Sequence, residues 1–173
     1  MTKLSIFDFD ETLCHTDYLI EVKYKFEDLS LFLNPTDYSK WHALGFYKAN
    51  PSNFSFDFSE FEIYPKESRP NKLVMQALKR AIEEKQHAAL VTGRTELEIA
   101  KLWLQNHGID VSKMILMCSG QPDKSFCYES LIATLEPTEI VIYEDSPLHI
   151  QQLKKVCQRY SVAMDSVLIS SED

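Results

Sequence analysis

Short apolar runs punctuate the chain at 4–9, 87–92, 113–117, 138–143 and 161–169. Each is strand-length and bounded by polar or acidic residues, so each reads as a buried strand. Between them the apolar period changes. Leu73, Val74, Ala77, Leu78, Ala81 and Ile82 recur at helical spacing, which predicts an amphipathic helix over 70–85. Pro70 suits its first turn and Ser68 its cap. Thr95 and Glu98 have the spacing of a capping box, and Gly108 is placed to end the helix they open. Two more helices are predicted over 124–135 and 147–159, the second capped by Ser146 with Pro147 in its first turn. Strands alternating with helices predict an α/β fold. It should be a doubly wound, Rossmann-like parallel sheet of about five strands with helices on both faces. Ligands of such sheets bind beyond the carboxyl ends of the strands, so the polar residues there carry the functional question.

Residues 14–68 break the alternation. They hold 13 of the 20 aromatic residues, and Phe54, Phe56 and Phe58 alternate with polar residues as in a half-buried strand. The stretch reads as a small cap-like insertion, part hairpin and part loop, within a single domain spanning 1–173. Its aromatics would form a small core of their own, with lining of a substrate pocket as the sharper alternative.

Composition narrows the classes. At 45% hydrophobic and 25% charged, the chain has ample apolar surface to bury, which excludes intrinsic disorder. The net charge of −8 argues against general nucleic-acid binding, which needs a field that attracts phosphates. No apolar run is long enough to span a membrane. Cys14, Cys118, Cys127 and Cys157 form no CxxC pair and read as reduced thiols of a cytoplasmic protein. The sequence lacks a GxSxG elbow, a P-loop and an HExxH zinc motif.

Four segments at strand ends carry candidate chemistry. In Asp8-Phe9-Asp10-Glu11-Thr12 the two aspartates are two apart, so an extended chain points both the same way. Like carboxylates side by side repel unless a cation intervenes, and an all-oxygen donor set favours Mg²⁺. Thr92-Gly93-Arg94 follows the 87–92 strand and can present a hydroxyl and a backbone N–H to a phosphoryl oxygen. Lys124 stands near a helix start, where it would neutralise a carboxylate and a phosphate together. Glu144-Asp145 follows the 138–143 strand and would complete a metal site. Each segment alone has an ordinary structural reading: a solvated loop, a tight turn, a surface charge, an acidic helix start.

Their order and placement resemble the four motifs of the haloacid dehalogenase-like (HAD) hydrolase superfamily. Within it the chain is most similar to the Swiss Army Knife RNA repair-like domains and the related polynucleotide 3′-phosphatase domains. Val91-Thr92-Gly93-Arg94, the helix from Lys124, and Ile142-Tyr143-Glu144-Asp145 with His149 after it carry that likeness. The resemblance implies an Mg²⁺-dependent phosphohydrolase working through an aspartyl-phosphate. Asp8 would be the nucleophile and Asp10 the general acid and base. Thr92, Gly93 and Lys124 would bind the phosphoryl group. Asp8, Asp10 (through its backbone carbonyl) and Asp145 would hold the metal. Thr12, Arg94 and Glu144 would support them from behind, with Arg94 more suited to a local carboxylate than to substrate. The acidic pair departs from the family's usual Asp-Asp, and the insertion matches no cap type. The substrate is therefore left open between a phosphorylated small molecule and a nucleic-acid 3′ end. A catalytically silent binding domain and a phosphotransferase on the same scaffold are the alternatives. A silent domain has no reason to keep mutually repelling carboxylates.

Overall fold

The fold is that of a computed structural model in which residues 2–170 are described. In chain order it begins with β1 (Lys3–Phe7), β2 (Cys14–His15), β3 (Ile20–Tyr24), β4 (Leu29–Leu33), α1 (Pro35–His42), α2 (Gly45–Ala49), β5 (Phe54–Asp57) and β6 (Arg69–Pro70). It continues with α3 (Lys72–Glu83), β7 (His87–Thr92), α4 (Glu98–Asn106), β8 (Ile115–Cys118), α5 (Ser125–Leu135), β9 (Glu139–Glu144), α6 (Pro147–Tyr160) and β10 (Ala163–Leu168). Five strands form one sheet in the order β10-β9-β1-β7-β8, and every pair in it is parallel.

Both faces of its central strands β1 and β7 are buried, as expected inside a parallel sheet, while the edge strand β10 is largely exposed. Alternate residues serve opposite layers. Leu4 and Ile6 of β1, and Ala89 and Val91 of β7, pack with Tyr128, Leu131, Leu153 and Val156 from α5 and α6. Phe7, Ala88 and Leu90 face Val74, Leu78, Trp103 and Leu104 from α3 and α4. The chain proceeds from β1 to β7 and β8 on one side, then returns to β9 and β10 on the other. The switch point therefore falls between β1 and β9, where the tips of both strands carry acidic residues.

The insertion leaves and returns at one place: Cys14 and His15 pair antiparallel with Pro70 and Arg69. Between those ends lies a three-stranded antiparallel sheet, order β4-β3-β5, covered by α1 and α2. Ile20, Val22, Tyr38 and Phe54 are its buried centre, with Trp41, Tyr47 and Phe56 packed around them. The aromatics thus make the insertion's own core, as expected. The strand is Phe54–Asp57, so Phe58 falls outside it and is exposed.

Several element ends differ from the sequence reading. The third helix opens at Lys72, capped by Asn71, whose side chain accepts from the Leu73 and Val74 N–H groups. Pro70 belongs to β6, and Ser68 instead accepts a 2.7 Å hydrogen bond from Trp103 Nε1. No capping box forms at Thr95: α4 starts at Glu98 with Leu97 at its cap and no side-chain bond. Ser146 caps α6 by position only: its buried Oγ makes no hydrogen bond, while its N–H turns back to Glu144 Oε1 at 3.2 Å. α1 and α2 replace an expected loop. Asn34 before Pro35 is a cap signal, but the helices that follow are too short to show apolar periodicity.

Candidate active site

Three strand ends and one helix start converge at the switch point. Asp8 follows β1, Thr92 ends β7, Glu144 ends β9 with Asp145 next, and Lys124 is the cap residue of α5. The Asp8 N–H donates to the Tyr143 carbonyl at 3.1 Å, so adjacent strand ends hold the two acidic segments in register. Asp8, Asp10, Thr92, Lys124 and Glu144 are all buried.

Lys124 is the electrostatic hub. Its Nζ donates to Asp8 Oδ1 at 2.6 Å and to Glu144 Oε2 at 2.9 Å. An ammonium this deep in the protein is held only by partners of opposite charge. Burial works to lower its pKa, but Asp8 and Glu144 outweigh that and raise it well above the ordinary lysine value. An ammonium has no acceptor to offer the helix N–H groups, so Lys124 makes no side-chain cap; Asp123 Oδ1 instead accepts from the Ser125 N–H at 2.9 Å.

Glu144 is fully engaged. Besides Lys124, its Oε1 accepts from the Ser146 N–H and lies 3.1 Å from His149 Nδ1. Burial works to raise its pKa, yet Lys124 and His149 hold it well below the usual carboxylate range. Asp145 and Asp8 behave in the opposite way. Burial and then the Glu144 charge push both above the ordinary aspartate value, with Lys124 partly opposing the shift at Asp8. Thr12 ties them together: its Oγ1 lies 3.3 Å from Asp8 Oδ2 and from Asp145 Oδ1, and accepts from the Asp145 N–H at 3.1 Å.

Carboxylate oxygens of Asp8, Glu144 and Asp145 lie within 4.8 Å of one another. One ammonium does not balance three carboxylates, and burial denies them water. This acidic cluster could therefore hold a metal ion, and its all-oxygen donors suit a hard divalent cation.

Asp10 is separate from that cluster. The chain bends after Asp8, Glu11 takes a positive φ of 58°, and the two aspartates find different cations. Arg94 grips Asp10 in a fork, Nε to Oδ2 at 2.9 Å and Nη2 to Oδ1 at 2.7 Å. The same guanidinium donates through Nη1 to the Phe61 carbonyl at 2.6 Å and lies against the Phe9 and Phe61 rings. Arg94 thus pairs with a local carboxylate, as expected, and also ties it to the insertion.

Thr92 Oγ1 accepts from the Arg94 N–H at 3.3 Å. A Cβ at Gly93 would meet Gln121 O at 3.5 Å, an ordinary contact, so packing alone does not demand glycine there. Besides the Phe61 carbonyl, the insertion adds a second group that the sequence did not reveal. The Thr36 hydroxyl, in the first turn of α1, donates to Asp145 Oδ2 across 109 positions of sequence. No local pattern marks such a contact.

Fold and site together define a doubly wound α/β protein with a buried carboxylate centre at its switch point. No family model matches the chain, and no curated protein matches it significantly. Among solved structures it is similar to the Legionella pneumophila effector Ceg4 carrying an N-terminal yeast Hog1p sequence. The likeness covers 100% of this chain and 90% of that one, at 16% identity and a TM-score of 0.59. At that identity the likeness concerns the fold. Among the described residues, no helix is long and apolar enough to cross a membrane.

Proposed function

We propose that the chain is a Mg²⁺-dependent phosphohydrolase of HAD type, acting on a phosphomonoester through an aspartyl-phosphate. The observation that carries the reading is the buried Asp8–Lys124–Glu144 chain beside Asp145. It combines a fixed carboxylate nucleophile, a cation for phosphoryl oxygens and an excess of negative charge.

Asp8 and Asp145 are the residues that would hold the metal, because both Glu144 oxygens are taken by Lys124, Ser146 and His149. Bound Mg²⁺ supplies charge neutralisation between nucleophile and phosphoryl oxygens. Lys124 and Thr12 orient the Asp8 carboxylate, which attacks phosphorus as the bond to the leaving oxygen breaks. Asp10 gives that oxygen a proton. It then takes one from the water that cleaves the aspartyl-phosphate, releasing inorganic phosphate and restoring Asp8. For Asp10 to carry a proton, Arg94 must release one of the two oxygens it grips. Thr92 and Lys124, with the Gly93 N–H, bind the phosphoryl oxygens as charge redistributes. The substrate is a phosphorylated small molecule or a nucleic-acid 3′ end.

Hydrolysis of an aryl phosphate, with and without Mg²⁺, tests the reading. Release should need the metal and fall by at least about 10³-fold in Asp8→Asn, which removes the nucleophile. Equal rates in the variant and the wild type would sink it.

A further inference from the structure

We propose that the outer edge of β4 is the surface through which two copies of this chain pair strand to strand. β4 is one edge of the insertion's sheet, and among the described residues no strand lies beyond it. Proteins shield such edges with charges, proline, bulges or a covering element. β4 reads Leu29-Ser30-Leu31-Phe32-Leu33, with no charge and no proline. Its ladder with β3 runs unbroken from Leu33 opposite Ile20 to Leu29 opposite Tyr24. The other edge is guarded: β5 ends in Asp57, whose carboxylate accepts from the Ser59 N–H and turns the chain away at once.

Side chains make the same point. Cross-strand partners share a face, so Leu29, Leu31 and Leu33 extend the face of Tyr24, Val22 and Ile20. α1 and α2 cover that face over β3 and β5, where Tyr38, Trp41 and Tyr47 meet Phe54 and Phe56. The cover reaches Leu33 at the end of β4, which packs on the insertion's core, and leaves the rest of the strand open. Leu29 is 61% exposed, Leu31 42%, and Phe26 in the preceding turn 71%. Phe32, on the opposite face, is 58% exposed.

The strand is complementary to itself. Antiparallel pairing about a twofold axis at Leu31 sets Leu31 against its own copy, Leu29 against Leu33 and Ser30 against Phe32. All three leucines then stay on one face of a continuous six-stranded sheet. No like charges meet: Asp28 falls opposite Asn34, and Glu27 opposite Pro35. The contact is isologous and closed, so it stops at two copies. The exposed side chains amount to on the order of 400 Å² per copy, small enough that the dimer is weak and concentration-dependent. A net charge of −8 on each copy opposes association, so salt strengthens it.

Sedimentation equilibrium of the whole chain, from about 1 to 300 μM, tests this in the range of weak interfaces. The average mass should rise with concentration from 20.1 kDa toward twice that value. Leu31→Lys sets two ammonium groups against each other at the axis. It should stay monomeric throughout, with circular dichroism and melting temperature unchanged. Leu31→Glu should do the same. An equal mixture of the two variants should associate again, because residue 31 meets its own counterpart. A wild type that stays at 20.1 kDa throughout overturns the proposal. So does a Leu31→Lys variant that dimerises normally, or a mixture that stays monomeric. None of these outcomes depends on phosphohydrolase activity.

Discussion

Lys124 is a buried structural cation that the proposed function also uses as a phosphoryl-binding group. It neutralises Asp8 and Glu144 in a place where water cannot. Lys124→Met keeps much of the volume but leaves two buried carboxylates facing each other. Breaking a buried pair in this way costs about 3–5 kcal/mol, so chemical denaturation should show a loss of that size. On the proposed function, turnover should fall by roughly 10²–10³-fold in the fraction that remains folded, since the cation assigned to the phosphoryl oxygens is gone. Asp145 separates metal binding from folding. Asp145→Asn removes one of the two proposed metal ligands and relieves repulsion at the same time. The variant should therefore need about 10–100-fold more Mg²⁺ for half-maximal rate, while melting no lower than wild type without metal. An unchanged Mg²⁺ requirement would assign the metal to other residues.

Among the elements, helix ends are where local chemistry and tertiary demand compete. Asn71 wins the cap of α3 because its side chain satisfies two N–H groups while its own N–H reaches Leu13 O at 3.0 Å. One residue thus starts the helix and anchors the return of the insertion to the loop after β1. Asn71→Ala should lower unfolding stability by about 1 kcal/mol, the cost of a lost cap. A change within a few tenths would mean that the loop contact, not the cap, is what Asn71 supplies. Ser68 is the contrasting case. Its position suits a cap, but a buried Trp103 N–H needs an acceptor, and Ser68 supplies it.

Across the whole molecule, the site sets the pH response of folding. Asp8 and Asp145 have folded-state pKa values above the ordinary aspartate value of 3.8. At these two groups the folded chain therefore binds more protons than the unfolded chain above that pH, so they make stability fall as pH rises, while His42, whose pKa burial lowers, acts singly in the opposite sense. Glu144 too has the opposite sign: its contribution is present above 4.5 and is lost only in stronger acid. Without metal, the melting temperature should drop from about pH 5 to pH 8. Saturating Mg²⁺ should flatten that slope, because a cation among the carboxylates favours their charged forms. A metal-free melting temperature that rises over the same range would contradict the assigned burial of these two groups.

Much of this protein was legible in its sequence. The parallel α/β sheet and four of its helices follow from apolar period and turn residues, which are local properties. Asp8, Thr92, Lys124 and Glu144-Asp145 stood out for the same reason: strand ends and helix starts are written in short segments. Tertiary structure alone decided the pairings. Asp10 turned to Arg94 because the chain bends after Asp8. Glu144 gave its oxygens to Lys124, the Ser146 N–H and the His149 side, whereas Asp145 has only the neutral hydroxyls of Thr12 and Thr36 as side-chain partners. Thr36 and Phe61 entered the site from an insertion whose short helices carry little periodic signal. Such contacts join residues tens of positions apart, and which of them form is settled by how the layers pack. A linear pattern holds no record of that choice.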